Sequence, residues 1–254
     1  IGAQLEKYSP LCHHPASWSR LASIAATSDT LWNHLLTNTD LLNKLEPTEL
    51  RIDADFFRKE VEKALGKCTH QEEELDAIRR FKHTQAFLLG SAELDGFLEY
   101  NQARQGLTIL AEIVLQKANK ICFRDLIKRH GIPRDENGEP AKFSIVGMGK
   151  LGGKELTYHS DLDLIFLYSG VGETDGHLPV SNQLFYAKLI QRIISFLSSV
   201  TGCGYAYKLD TRLRPSGNAG VLVTTISSFA AYHQQSNPWE HQALIKARVL
   251  GGDI

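Results

Sequence analysis

Apolar positions recur through the first half of the chain at helical spacing. Leu107, Leu110, Val114, Ala118 and Ile121 follow one another at three- and four-residue steps, with Glu112, Gln116 and Lys120 between them. That is one apolar stripe on one helical face. Residues 72–89 repeat the pattern through Leu75, Ile78, Phe81 and Ala86. Residues 1 to 130 therefore read as helical. His130-Gly131-Ile132-Pro133 stops a helix. The polar stretch 134–140, with Gly138 and Pro140, reads as a linker or exposed loop.

Beyond it the period changes. Residues 143–146 and 162–168 are short apolar runs rich in β formers. Residues 180–200 return to helical spacing through Ala187, Ile190, Ile194 and Leu197. Residues 205–213 alternate, which predicts a strand with Tyr205, Tyr207 and Leu209 on one face and Lys208, Asp210 and Arg212 on the other. A last helix is predicted over 239–249. The pattern predicts a helical lobe over 1–140 and a small α/β domain over 141–254.

Composition narrows the class. Of 254 residues, 43% are hydrophobic and 22% charged, the mix of a soluble globular protein and not of a disordered one. The net charge of −1 gives no basic excess, so no nucleic-acid partner is expected. Cys12, Cys68, Cys122 and Cys203 form no C-x-x-C pair. Neither a disulfide framework nor a structural zinc site is expected, and the plain reading is reduced thiols in a cytoplasmic protein. Cys12-His13-His14 has no partner pair at ligand spacing and reads as a surface cluster. No apolar run approaches the ~18 residues of a membrane span, and no signal peptide is visible. The sequence begins at Ile1 and ends on Gly251-Gly252-Asp253-Ile254, and reads as a piece of a longer chain.

Gly147-Met148-Gly149-Lys150-Leu151-Gly152 matches G-x-G-x-x-G after a strand. A dinucleotide site needs a helix and a second parallel strand next. Only residues 153–160 intervene before the following strand, short of the ~10–12 residues of a full crossover. Two readings stay open. The turn is a phosphate cradle, with closely approaching glycine amides and the charges of Lys150 and Lys154, or it is a tight turn with two solvated lysines.

Ser160-Asp161-Leu162-Asp163 opens the second strand. Period-two geometry puts Asp161 and Asp163 on one face with Cα atoms ~6.6–6.8 Å apart. Two carboxylates so placed offer the hard oxygen ligands that magnesium takes. The alternative is a pair of solvated aspartates at a strand start. Asp210 supplies a third acid from a neighbouring strand, and Arg212 and Arg214 beside it suit triphosphate oxygens. A surface ladder of salt bridges remains the other reading of those three.

At these residues the sequence resembles a known family. Gly147-Met148-Gly149-Lys150-Leu151-Gly152-Gly153-Lys154-Glu155-Leu156, followed by Ser160-Asp161-Leu162-Asp163-Leu164-Ile165-Phe166, resembles the signature of the glutamine synthetase adenylyltransferase family, within the DNA polymerase β-like nucleotidyltransferase superfamily. The resemblance implies an α+β, α-rich fold: a helical N-terminal lobe, then a small mixed-sheet polymerase β-like domain. It places Asp161, Asp163 and Asp210 as catalytic and metal-binding residues for two Mg²⁺, with ATP as substrate. Gly149, Lys150, Gly152, Gly153, Ser160, Arg212, Arg214 and Lys246 become nucleotide-binding candidates, with Arg248 a further nucleotide or core contact.

Enzymes of this family join two such domains, one adenylylating a tyrosine of glutamine synthetase and the other removing AMP by phosphorolysis. The run 212–224, Arg-Leu-Arg-Pro-Ser-Gly-Asn-Ala-Gly-Val-Leu-Val-Thr, and the run 239–248 resemble the adenylylating half. So does the helical stretch 78–119. Pro238 stands where a second tryptophan is expected before Trp239. The resemblance also implies glutamine synthetase as protein substrate and glutamine and the PII signal protein as regulators. Two alternatives accompany this reading, the AMP-removing half of the same family and a non-catalytic docking fragment.

Overall fold

The computed structural model describes residues 15–44 and 51–252. Cys12, His13 and His14 lie outside the described residues. The chain separates into two compact units, Ile1–Leu110 and Ala111–Ile254.

The first unit is helical. Its elements are α1 (Pro15–Thr27), α2 (Asp29–Thr37), α3 (Ala54–Leu65), α4 (Gln71–Leu94) and the opening turns of α5 (Tyr100–His130). Starts are set by side-chain caps: Ser28 accepts from the Leu31 amide at 3.3 Å and Asp53 from the Phe56 amide at 2.8 Å. Ile24, Leu31, Leu35, Leu41, Leu42 and Phe87 form one buried cluster, with Leu21, Trp32 and Leu88 against it. The predicted stripe holds, since Ile78, Phe81 and Ala86 on α4 are buried, as are Leu107 and Leu110 on α5.

The second unit is built on a mixed sheet. Its strands are β1 (Phe143–Gly147), β2 (Leu162–Tyr168), β3 (Leu209–Asp210), β4 (Thr224–Thr225) and β5 (Arg248–Gly252). Their order is β3-β2-β1-β5, with β4 sharing the β3 edge of β2. Because β1 and β2 are antiparallel, the glycine turn joins a hairpin, and no βαβ dinucleotide unit exists there. On one face α7 (Asn182–Ser198) packs through Tyr186, stacked on Phe143 at 5.1 Å, and through Phe185, edge-on to Phe123 of α5 at 5.6 Å. On the other face Met148, Ile165 and Leu167 are covered by Leu213, by Phe229 of α8 (Ile226–His233) and by Ala243 and Leu244 of α9 (Pro238–Leu244). With both faces covered, β2 reads as a continuous apolar run after Asp163. The later turns of α5 belong to this unit, so the division falls inside that helix and not at the polar loop near 140.

Two elements differ from the expectation. The strand predicted over 205–213 is only the pair Leu209–Asp210. The amides of Ala206 and Tyr207 bond to the Leu197 carbonyl at the end of α7, and the Arg212 amide bonds to the Asp210 carboxylate, which turns the chain. The helix predicted over 239–249 stops at Leu244, and Arg248 begins a strand. The alternative pairing of residues 248–252 with β1 satisfies a whole ladder, which outweighs local helical spacing. Lys246 and Arg248 therefore do not lie on a helix. Among the described residues no helix is long and apolar enough to cross a membrane.

Candidate active site

The glycine turn is a single helical turn, α6 (Gly149–Gly152), entered through an extended Met148. Gly149 has φ +52°, and a Cβ there would lie 2.5 Å from Asp163 Oδ2. The turn backbone thus rests on the Asp163 carboxylate, which only glycine permits. The Met148 amide donates to the Asp163 carbonyl at 2.8 Å, tying turn and strand together. Lys154 closes the turn with φ 59°, a left-handed conformation that few non-glycine residues adopt. Lys150 and Lys154 are exposed.

The structure brings Asp163 and Asp210 together, with Asp161 near enough for its charge to act on Asp163. Asp163 of β2 and Asp210 of β3 are register partners in a parallel pair, and side chains of such partners share a face of the sheet. Asp161 precedes β2 and is exposed, while Asp163 is half-buried. Burial, then the charges of Asp210 and Asp161, push the Asp163 carboxyl above the usual carboxylate range. Arg212 holds Asp210 below it. Arg212 Nε lies 3.0 and 2.9 Å from the two Asp210 oxygens, and Nη2 lies 2.5 Å from Oδ2.

The remaining site candidates divide. Ser160 Oγ is engaged in its own turn, accepting from the Thr157 amide at 3.1 Å and hydrogen-bonded to Thr157 Oγ1 at 2.7 Å. Arg214 braces its loop through the Thr211 carbonyl at 2.8 Å and Thr211 Oγ1 at 2.9 Å. Lys246 pairs with Glu155 at 2.7 Å beside Gly153. Two residues escaped the sequence reading, Glu112 and Gln116. They lie between stripe positions with no chemical role expected, yet Glu112 pairs with Arg248, and Gln116 donates to the Leu250 carbonyl at 2.6 Å.

The donor set is three carboxylates without sulfur or imidazole, which is the set hard cations take, and their mutual repulsion on Asp163 is what a cation relieves. Among the described residues no three such side chains are placed to share one ion. The Arg212 side chain, 73% exposed, covers Asp210 from the solvent side.

Opposite pKa shifts predict opposite stability effects. Raised in the folded state, ionised Asp163 costs stability, fully so once pH exceeds its folded value. Asp163→Asn should therefore raise the melting temperature in ion-free neutral buffer. Asp210 contributes stability that is present above its unfolded value and lost as pH falls through its folded one. Asp210→Asn should cost no more than about 1 kcal/mol, because the pair is exposed on the arginine side. Thermal melts from acid to neutral pH check both signs, and a destabilised Asp163→Asn would contradict the first.

A mixed sheet carrying three acids beside a glycine turn, joined to a helical unit, is a nucleotidyltransferase-like α+β fold. The chain belongs to the glutamate-ammonia ligase adenylyltransferase family, whose model matches residues 18–254. It is similar to the bifunctional glutamine synthetase adenylyltransferase/adenylyl-removing enzyme of Shewanella frigidimarina (strain NCIMB 400), 38% identical over 251 residues, which cover 96% of this chain and 26% of that protein. The enzyme of the same name from Psychromonas ingrahamii is 35% identical over 252 residues, covering 97% of this chain and 26% of the relative. That of Thioalkalivibrio sulfidiphilus is 36% identical over 257 residues, covering 96% and 26%. The chain thus spans about a quarter of the length of the relatives it matches.

Proposed function

We propose that this chain carries an adenylyltransferase site that moves AMP from ATP to a tyrosine hydroxyl of glutamine synthetase, regulating nitrogen assimilation. The observation that supports it best is the pairing of Asp163 with Asp210 across parallel strands, with Asp161 alongside and the glycine turn resting on Asp163. Asp161, Asp163 and Asp210 would hold two Mg²⁺, which supply positive charge against the triphosphate.

The chain's own residues do the rest. The Gly149 amide and Lys150 would face phosphate oxygens, whereas the amides expected to do so at Gly152 and Gly153 are spent on the Met148 and Gly149 carbonyls at 2.9 and 3.0 Å, so those two glycines serve close packing of the turn. Arg212, released from Asp210, pairs with the departing pyrophosphate, and Arg214 keeps its loop in place. The tyrosine oxygen bonds to the α-phosphorus as the bond to the bridging oxygen breaks. Asp210, freed of Arg212, accepts the phenolic proton. In the full-length enzyme glutamine and the PII signal protein would regulate this step, and the protein would act in the cytoplasm.

The relatives' printed names carry two activities, so the test separates them. Incubation with α-labelled ATP, Mg²⁺ and unmodified glutamine synthetase should label the latter. If ADP is instead released from AMP-modified glutamine synthetase and phosphate, without labelling in the forward assay, the site is the AMP-removing one. If neither occurs and calorimetry finds no ATP–Mg²⁺ binding, the docking reading replaces both.

A further inference from the structure

Arg248 begins β5 opposite Gly147 in the β1–β5 register, and the proposed chemistry assigns it nothing. Its guanidinium bridges three groups. Nη2 donates to Glu112 Oε1 at 2.5 Å and to the Leu151 carbonyl at 3.0 Å, and Nε donates to the Gly152 carbonyl at 3.2 Å. Those carbonyls end α6, and the Leu151 carbonyl accepts from the Lys154 amide as well, at 3.3 Å. The Arg248 and Glu112 side chains are only 28% and 20% exposed, so the pair is sheltered from solvent. Two residues upstream, Lys246 packs its backbone carbonyl against Gly152, leaving no space for a Cβ. The far end of the same turn is Gly149, seated on the Asp163 carboxylate.

A continuous set of contacts therefore runs from Glu112 on α5 through Arg248 to the end of α6, across one helical turn, and onto Asp163. We infer that Arg248, oriented by Glu112, is a positioning residue for the reacting cluster: it clamps the glycine turn so that turn and Asp163 keep a fixed separation. Arginine suits the task because one planar fork can reach a carboxylate and two carbonyls together, which a lysine cannot. This inference rests on the adenylyltransferase reading above.

The test measures AMP transfer and thermal melting on the full chain for wild type, Arg248→Met, Arg248→Lys and the double variant Arg248→Met/Glu112→Gln. Arg248→Met should lose about 10- to 100-fold in transfer, the scale of a small misplacement at a reacting site, and should need more Mg²⁺ for half-maximal rate. Arg248→Lys should recover part of the rate. The double variant, which removes the stranded Glu112 charge, should regain melting temperature without regaining rate. A merely structural role would return both together, and that result overturns the inference, as does an Arg248→Met rate equal to wild type. Should Arg248→Met fail to fold, Arg248→Lys decides: wild-type melting with a lowered rate supports positioning, and a wild-type rate overturns it. A wild type with no AMP transfer sinks the proposed function and this inference together, whereas an active wild type matched by its variants sinks only the role of Arg248.

Discussion

Asp161→Asn/Asp163→Asn should abolish AMP transfer, with a loss of at least about 10³-fold, while the protein stays folded. Both substitutions preserve side-chain shape and remove charge. Divalent ions at phosphoryl centres supply several kcal/mol of charge stabilisation, and each 1.36 kcal/mol is about tenfold in rate. Folding should not suffer, since Asp161 is exposed and Asp163 pays for its ionisation with burial and like-charge repulsion. The diagnostic result is therefore a dissociation of the two readouts, with melting preserved or raised and transfer of α-label lost. Asp210→Asn should lose transfer as well but lose a little stability, because it gives up the Arg212 fork. Label transfer that persists undiminished in the double variant would remove the three acids from the chemistry, whatever the fold.

That dissociation bears on how the site could be read in the sequence. Helical stripes were legible because a buried face repeats over many turns, and Leu107 through Ile121 each turn out buried. Asp161 and Asp163 were legible because aspartate at the head of an apolar strand runs against its neighbours' preference. Asp210 was found from its alternation, although the strand that carries it is far shorter than the alternation suggested. Competing bonds to the end of α7 took the amides of Ala206 and Tyr207, and nothing local in 205–209 announces them.

The second class of miss is long-range. Glu112 and Arg248 are 136 positions apart, and although Arg248 is expected as a nucleotide or core contact, nothing near it in the sequence names Glu112 as its partner. Residues 245–249 fit a helix equally well until β1 offers them an edge to pair with. Spacing arguments see only what lies within a few turns, so a clamp built from two distant elements is invisible to them. The contact at Gly152 is equally long-range, because the backbone that fills the space of its missing Cβ is the Lys246 carbonyl.

Gly152→Ala turns that approach into a measurable effect. The added Cβ would overlap the Lys246 carbonyl oxygen and lie 2.6 Å from the Gly147 carbonyl oxygen. Both obstacles are backbone, so no side-chain rotation relieves them, and either α6 or the 246–248 segment must move. Overpacking of this kind costs about 1–3 kcal/mol, which lowers the melting temperature by roughly 2–12 °C for a unit of this size. Gly202→Ala is the control, since a Cβ there meets nothing within 4 Å, and it should melt like wild type. Transfer by Gly152→Ala should fall by more than its stability explains when assayed well below its melting temperature. The displaced turn carries Gly149 off Asp163 at one end and its carbonyls off Arg248 at the other. A Gly152→Ala protein that melts and transfers like the Gly202→Ala control would mean that the turn tolerates movement relative to β5, and the separation of turn and carboxylate would then not be set by the packing of residues 246–248.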